Sequence, residues 1–263
     1  MRRGLGFVVG IGLAWGTAVA AETTQAPMAG LEGVGRLDIR GYGFCTAALV
    51  TPTLVLTAAH CLYDDKTGTP HVIERMRFRA GLSHGASVAN RGIRRMIVDP
   101  GYVHMSKVDL DNVAHDLALL ELETALDLPE VRPFPAAGRL GRGDQVQLVS
   151  YGENRAEAPQ LEHGCSVLER NMAVLLLDCS VEFGSSGAPV FISTFTGPQI
   201  VSVISAMSET SDGTRLAIAV TVEDGLKRLE AEFARSPALS PGAKRLRGTG
   251  TDRGTIRFLR PDN

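Results

Sequence analysis

Hydrophobic residues recur along this chain in short runs that turn-forming residues separate. In the first half the runs hold five to seven residues, many of them β-branched or aliphatic: RLDIR, TAALVT, TLVLTAA, MRFRAG, IRRMIV and DLALLEL. In MRFRA, Arg77 and Arg79 alternate with Met76 and Phe78. This alternation indicates a strand with one buried and one solvated face. The first half is therefore predicted to be a set of short strands.

Similar runs continue in the second half: QVQLVSYG, CSVLER, AVLLLDCS, APVFIST, QIVSVISA and LAIAVTV. The stretch 125–139 between the halves is rich in proline and lacks periodicity, so we interpret it as a linker. Regular short strands with almost no helical periodicity predict an all-β protein. Two antiparallel barrels or sandwiches satisfy this pattern.

One helix is predicted near the end of the chain, in TVEDGLKRLEAEF. Its apolar positions fall on one face at helical spacing: Val222, Leu226, Leu229 and Phe233. Thr221, with Asp224 three residues later, resembles a capping box. Beyond the helix, residues 236–263 lose periodicity and gain proline, glycine and arginine, which predicts a basic flexible tail.

Composition narrows the class of protein. The chain has 263 residues, of which 44% are hydrophobic and 21% charged, with a net charge of -2. These values exclude collagen-like, low-complexity and wholly disordered chains. The near-neutral charge argues against a dedicated nucleic-acid-binding protein. We interpret the local basic cluster Arg91, Arg94 and Arg95 as a solvated strand edge rather than a site for an anionic partner.

The first 20 residues have the layout of a secretory signal peptide. Arg2 and Arg3 precede an apolar run, and Ala18-Val19-Ala20 supplies a small-x-small cleavage motif, with cleavage after Ala20 or Ala21. An uncleaved membrane anchor is the alternative, but three glycines interrupt a run already short for roughly 30 Å of hydrocarbon. We therefore expect a secreted or periplasmic protein whose mature form has no membrane span.

An exported protein has its cysteines in an oxidising compartment, so disulfides are the first interpretation. Cys45, Cys61, Cys165 and Cys179 allow three connectivities, of which proximity favours Cys45–Cys61 and Cys165–Cys179. A zinc site is the rival, but neither pair has C-x2-4-C spacing. We predict no metal.

Three motifs carry residues suited to nucleophilic catalysis. LTAAHC contains His60, HDLALLEL follows the pattern of a buried strand headed by Asp116, and FGSSGAPVF places Ser186 in a turn of small residues. A serine hydroxyl needs a base such as histidine, and a buried carboxylate fixes the tautomer of that histidine. Glycines around the serine let backbone N–H groups converge on one oxygen.

These motifs and their order resemble the trypsin-like (chymotrypsin-fold) serine endopeptidases, especially small secreted bacterial members. FCTAALVTPTLVLTAAHC is similar to the stretch that ends at the family's catalytic histidine, and GSSGAP stands where the family has Gly-Asp-Ser-Gly-Gly-Pro. The resemblance spans roughly residues 33–233. It implies two six-stranded antiparallel β-barrels with a C-terminal helix, and a disulfide between Cys45 and Cys61 beside the histidine.

The resemblance also implies a role for each site residue. Ser186 would be the nucleophile, His60 the general base and then acid, and Asp116 the group that orients His60. The backbone N–H groups of Gly184 and Ser186 would form the oxyanion hole. Ser205 is the expected strand residue whose backbone helps to position the substrate, although Ser202 lies in a similar local context.

The chain departs from the family pattern at three positions. Ser185 replaces the aspartate that receives the new N-terminal ammonium in animal trypsins, so we expect no such activation switch. Ala188 replaces a glycine after the nucleophile. Ser180 falls at the floor of the first substrate pocket, which favours a small, polar or mixed residue before the scissile bond. Asp178 could bring in a carboxylate under another local alignment, which keeps trypsin-like cleavage open.

The sequence thus predicts a secreted, monomeric serine endopeptidase acting on proteins or peptides without a cofactor. The alternative is a catalytically silent protease-fold binding protein. An α/β-hydrolase would present its serine before the acid and histidine. The expected organisation is a signal peptide (1–20), an N-terminal segment (21–32) that would alternatively be a pro-peptide, a first barrel (33–124), the linker (125–139), a second barrel with the helix (140–235) and the tail (236–263).

Overall fold

A computed structural model describes residues 29–104, 109–136, 138–211 and 213–236. The predicted signal peptide and almost all of the predicted tail lie outside these residues. The described chain forms two closed antiparallel barrels of six strands each. The all-β prediction of two six-stranded barrels is confirmed.

The first barrel comes from the first half of the chain, with the spatial strand order β1-β2-β3-β6-β5-β4. Its strands are β1 (Val34–Ile39), β2 (Gly43–Thr51), β3 (Leu54–Thr57), β4 (Met76–Ala80), β5 (Ala89–Val98) and β6 (Ala118–Leu122). In β4, Met76 and Phe78 are fully buried while Arg77 is exposed, so the predicted alternation is confirmed. Apolar side chains on alternate positions therefore fill the barrel.

The second barrel has the order β10-β11-β12-β9-β8-β7. Its strands are β7 (Gln145–Gly152), β8 (Arg155–Asn171), β9 (Val174–Leu177), β10 (Pro189–Thr194), β11 (Gly197–Glu209) and β12 (Arg215–Thr221). A short segment between β9 and β10 carries Ser186. Because β10 pairs with both β7 and β11, this segment is fixed at its downstream end.

Two α-helices are described, α1 (Leu110–Val113) and α2 (Val222–Arg235), together with 3₁₀ turns at His60–Leu62 and Ile73–Arg75. Helix α2 confirms the predicted C-terminal helix. The predicted capping box is wrong in one respect, because the Thr221 side chain makes no capping hydrogen bond. Thr221 is both the N-cap residue of α2 and the buried last residue of β12. Neither described helix has the length and apolar character needed to cross a bilayer.

The two barrels share a hydrophobic core. The cluster that fills the first barrel continues into Tyr151, Phe191 and Val203 of the second. The linker contributes Phe134 to this core. The Phe134 ring packs edge-on against the Phe191 ring, with 4.9 Å between the ring centroids, and the Phe134 backbone N–H donates to the Leu49 oxygen. The shared core and the linker therefore hold the two barrels together.

The arginine cluster of β5 does not form a strand edge, so that interpretation is wrong. β5 pairs with β4 on one side and β6 on the other. Arg94 and Arg95 both pair with the buried carboxylate of Glu121, and the Arg95 guanidinium lies 3.6 Å from the Phe233 ring centroid. A buried carboxylate needs cationic partners, which the two arginines supply. Arg95 in addition ties the first barrel to α2 through Phe233.

Candidate active site

His60 and Asp116 lie at one end of the first barrel and contact each other directly. His60 starts the 3₁₀ turn that follows β3, and Asp116 lies between α1 and β6. Asp116 Oδ2 is 2.7 Å from His60 Nδ1, and Asp116 Oδ1 accepts a hydrogen bond from the His60 backbone N–H at 2.8 Å. Two contacts to one carboxylate fix both the backbone and the ring of His60. The other ring nitrogen, Nε2, lies 3.9 Å from Cys61 Sγ.

Ser205 completes this group from the second barrel. Its Oγ donates to Asp116 Oδ2 at 2.5 Å, and both residues are buried. Ser205 was expected to act through its backbone. In the structure its side chain supports the acid, a role that the sequence does not reveal because it depends on pairing across the cleft. Ser202, the alternative on the same strand, is buried without a hydrogen-bond partner for its Oγ among the described residues.

The protonation states of this pair follow from burial and mutual charge. Burial would lower the pKa of His60, but the charge and hydrogen bond of Asp116 outweigh it, and the pKa of His60 is raised above its ordinary value. Burial would raise the pKa of Asp116, but His60 and the Ser205 hydroxyl together hold that pKa below its usual range. Asp116 is therefore anionic and favours a proton on His60.

Ser186 lies in a tight turn that two glycines make possible. Gly184 and Gly187 have φ values of +95° and +79°, a region that favours glycine. A Cβ on Gly187 would lie 2.2 Å from both Thr57 Oγ1 and the Thr46 oxygen. The turn therefore packs directly against β2 and β3, the strands that precede His60. The oxygen of Ser186 also accepts from the Thr46 N–H at 2.8 Å. Ser186 Oγ itself makes no hydrogen bond to any described residue, His60 included.

Two backbone amides beside Ser186 are free to bind an anion. Neither the Gly184 N–H nor the Ser186 N–H donates to any acceptor within the described ranges. The carbonyls of the same two peptides are both engaged: the Phe183 oxygen accepts from Glu153 N at 2.8 Å and the Ser185 oxygen from Ala188 N at 3.0 Å. Since the N–H of a trans peptide points opposite to its carbonyl, both donors are held in fixed directions.

Ser185 and Ala188, the two departures from the family pattern that follow Gly184, both lie in uncharged surroundings. Ser185 is fully buried, and its Oγ lies 3.3 Å from the Tyr151 oxygen and accepts from Glu182 N at 3.2 Å. Both partners are uncharged backbone groups. Ala188 is buried in the core of the second barrel, and its methyl group is accommodated there.

The residue expected at the pocket floor, Ser180, is exposed. Its N–H donates to both carboxylate oxygens of Glu162, at 3.0 and 3.1 Å. Glu162 belongs to the long strand β8 and was not predicted as a site residue. The carboxylate of Asp178 accepts instead from the N–H of Ser166, so it is engaged on β8. The acid that contacts Ser180 is therefore supplied by strand β8.

A second buried carboxylate supports the segment that carries Asp116. Asp99 accepts from His115, the residue before Asp116, with 3.0 Å between His115 Nδ1 and Asp99 Oδ1. Arg228 of α2 pairs with the other carboxylate oxygen at 2.8 Å. This group links α2 to the Asp116 segment, and only the folded chain reveals it because its members are far apart in sequence.

Both cysteine pairs favoured by proximity are bridged, Cys45 to Cys61 and Cys165 to Cys179. The first bridge adjoins His60 on one side and Thr46 on the other. The potential ligand atoms of Cys45, His60 and Cys61 lie within 4.8 Å of one another. Because the two sulfurs are bonded to each other, they cannot serve as thiolate ligands.

Comparison with known proteins agrees with this geometry. The sequence model of the trypsin family, described as "Trypsin", matches residues 16–224. A modular serine protease of Drosophila melanogaster is 36% identical over 152 residues, covering 51% of this chain and 24% of that protein. A trypsin of Phaedon cochleariae is 34% identical over 118 residues, covering 43% of this chain and 42% of that protein. The chain thus spans less than half the length of these relatives.

A solved structure of a Glu endopeptidase in complex with MPD has a TM-score of 0.63 and 18% identity, covering 82% of this chain and 95% of that chain. At this identity the likeness shows the fold alone. The sequence relatives named above come from animals, so they do not support the expected resemblance to secreted bacterial members.

Proposed function

Because the chain belongs to the trypsin family, we propose that it is a serine endopeptidase that hydrolyses peptide bonds through Ser186, His60 and Asp116. One observation carries the proposal. The hydrogen-bonded Asp116–His60 pair lies beside the turn that carries Ser186. In that turn the N–H groups of Gly184 and Ser186 have no acceptor in the described part of the chain. A base oriented by an anion and two fixed donors are what acyl transfer by a serine needs.

In the proposed reaction, Ser186 Oγ attacks the carbonyl carbon of the scissile peptide bond while His60 Nε2 takes its proton. The negative charge that develops on the carbonyl oxygen is stabilised by the amides of Gly184 and Ser186. Asp116 keeps its charge and stabilises the imidazolium. The C–N bond then breaks, and the leaving amine takes the proton from Nε2. Water attacks the acyl-enzyme in the same way and releases Ser186.

The hydroxyl of Ser186 has no hydrogen bond to His60 in this structure. Catalytic hydrogen bonds are often long in the absence of substrate and tighten in the Michaelis complex. We therefore expect this contact to form when a peptide fills the cleft. Asp116 already restrains the other ring nitrogen, so Nε2 is the nitrogen left to meet the Ser186 hydroxyl.

The substrate is proposed to be a protein or peptide with a small or polar residue before the scissile bond. Ser180 would form the floor of the pocket for that residue, and the backbone of Ser205 would align the substrate chain. A serine floor offers hydrogen bonds but no charge, so by itself it does not select arginine or lysine. The protein would act as a monomer without a cofactor.

Location and organisation are proposed from the sequence, with two disulfides in support. Disulfides persist in oxidising compartments. We propose that residues 1–20 are a cleaved signal peptide and that the mature protein is secreted or periplasmic. The barrels would form the domains 33–124 and 140–235, joined by the linker 125–139.

Labelling with a fluorophosphonate probe tests the proposed function. The oxidised protein should gain the mass of a single probe, and Ser186→Ala should gain none. Ser193→Ala, which removes an exposed serine of β10, is the matched control and should label like wild type. A folded wild-type protein that takes up no probe would contradict the proposal and favour a catalytically silent binding protein.

A further inference from the structure

Thr46 of β2 is fully buried and joins the first barrel to the nucleophile turn of the second. Its N–H donates to the Ser186 oxygen at 2.8 Å. Its Oγ1 donates to the Gly184 oxygen at 2.9 Å and accepts from the Tyr151 N–H at 3.0 Å. One side chain thus serves a carbonyl of the turn and an amide of β7 at the same time.

The hydrogen bond from Thr46 to the Gly184 oxygen acts on the Gly184–Ser185 peptide, which lies between the two free amides. The Phe183–Gly184 peptide is held by Glu153, and the Ser185–Ser186 peptide by Ala188. The Gly184–Ser185 peptide between them has two partners: Thr46 Oγ1 donates to its carbonyl at 2.9 Å, and its N–H donates to the Glu182 oxygen at 3.0 Å. If this middle peptide rotated, the directions of the amides on both sides would change, because they share its α-carbons.

The Glu182 contact lies within the turn itself, so Thr46 is the residue that holds the Gly184–Ser185 peptide from the first barrel. The Ser185 hydroxyl lies 3.5 Å from Ser150 Oγ and 3.3 Å from the Tyr151 oxygen, distances at which hydrogen bonds are weak. The Ser185 side chain is uncharged, so no ion pair holds it in place. The hydroxyl of Thr46, at 2.9 Å from the Gly184 oxygen, is the shorter and better-placed restraint.

We propose that Thr46 is a positioning residue, whose hydroxyl holds the Gly184–Ser185 peptide so that the amides of Gly184 and Ser186 face one substrate oxygen. The inference rests on the proposed peptidase function. It requires a group that donates and accepts at once, which a hydroxyl does. Valine has the shape of threonine but neither capacity, so Thr46→Val leaves the Gly184 carbonyl and the Tyr151 amide without partners.

The test compares Thr46→Val with Thr46→Ser, which keeps the hydroxyl, and with Tyr151→Phe as a matched control. The Tyr151 hydroxyl is also buried and donates to a backbone oxygen, that of Leu82 in the first barrel, at 2.9 Å. For each variant we would measure kcat and KM on a peptide nitroanilide, the affinity for a peptide aldehyde of the same sequence, and the melting temperature.

We expect Thr46→Val to lower kcat by about tenfold, with KM nearly unchanged and a similar loss of aldehyde affinity, since only the oxyanion-like states use the two amides. Thr46→Ser should recover most of the loss. Tyr151→Phe should lower the melting temperature without this kinetic signature. A Thr46→Val protein with wild-type kcat, or with wild-type aldehyde affinity, would overturn the inference. Should Thr46→Val not fold, Thr46→Ala makes the same comparison.

Failure of the inference can be told from failure of the proposed function. A wild-type protein that neither cleaves peptides nor reacts with a fluorophosphonate contradicts the proposed function. The inference is then decided by the crystal structure of Thr46→Val, in which a reoriented Gly184–Ser185 peptide supports it and an unchanged one overturns it.

Discussion

Ser205 donates its hydroxyl hydrogen to the same oxygen of Asp116 that contacts His60, at 2.5 Å and 2.7 Å respectively. Asp116 and Ser205 come from different barrels, so the site exists only when the barrels are packed together. Because the carboxylate is buried and accepts three hydrogen bonds, counting the His60 backbone N–H, its charge is balanced without solvent.

The first prediction compares two buried serines of β11. Ser205→Ala removes a donor to a buried carboxylate, so it should lower the free energy of unfolding by about 1–3 kcal/mol and kcat/KM by roughly tenfold. Ser202→Ala removes a buried hydroxyl with no partner among the described residues, so it should leave both nearly unchanged. Urea denaturation and steady-state kinetics of the pair check this. Equal losses in the two variants would contradict the assigned contact.

The second prediction concerns pH. His60 must be neutral to accept a proton. Its pKa is raised above 6.5 because burial, the largest single cause, is outweighed by the charge and hydrogen bond of Asp116 together with the charge of Asp65. The acidic limb of kcat/KM should therefore have its midpoint above 6.5. In Asp116→Asn the two raising causes that Asp116 supplies are lost, while burial and the weaker attraction of Asp65 remain, so the midpoint should move to lower pH. NMR titration of the His60 ring measures both values, even if Asp116→Asn turns over slowly. A midpoint that does not move would show that Asp116 does not set it.

The third prediction compares the two disulfides, which close loops of similar length, with sequence separations of 16 and 14. Each double Cys→Ala variant should lose about 3 kcal/mol of stability. Only the Cys45–Cys61 bridge adjoins His60 and Thr46, so its removal should also lower kcat at temperatures where the protein is folded. Removal of Cys165–Cys179 should act mainly on KM, because Cys179 adjoins Ser180. Equal kcat losses would contradict this distinction.

The site was predictable from the sequence only where local motifs carry it. His60, Asp116 and Ser186 stand in short segments whose residue types suit the chemistry proposed for them. Thr46, Asp99 and Glu162 have no such segment. Their roles depend on contacts with residues 16 or more positions away, such as Gly184, Arg228 and Ser180. Burial of a threonine in a strand is ordinary, so nothing in the sequence distinguishes Thr46.

The fold was predictable to a similar degree. Eleven of the twelve strands coincide in large part with an apolar run, but the 17-residue β8 begins ten residues earlier than its predicted run CSVLER. Its first part, RAEAPQLEHG, is polar and contains Pro159 and Gly164, which signal turns. It becomes a strand by pairing with β7, with two register shifts that accommodate the irregularity.

The fourth prediction concerns the amino terminus. Ser185 is buried among neutral partners and carries no charge to receive an ammonium group. An uncleaved tag ahead of residue 21 should therefore leave kcat within about twofold of the untagged protein, since no ion pair is lost. The two forms are compared by active-site titration and steady-state kinetics. Activity that appears only after the tag is removed would indicate a switch that depends on the new terminus.

The last prediction concerns the residue before the scissile bond. If Ser180 forms the pocket floor, the carboxylate of Glu162 on its N–H places a negative charge there, at 3.0 Å. An acidic substrate residue would be repelled, so cleavage after glutamate should be disfavoured. Glu162→Gln removes the charge and keeps the shape, and it should raise kcat/KM after glutamate relative to alanine by about tenfold. The control is Glu157→Gln. Glu157 is an exposed acid of β8 that pairs with Arg36, and its substitution should leave this ratio unchanged. Peptides that differ only at this residue provide the measurement, and an unchanged ratio in Glu162→Gln would place the pocket floor elsewhere than Ser180.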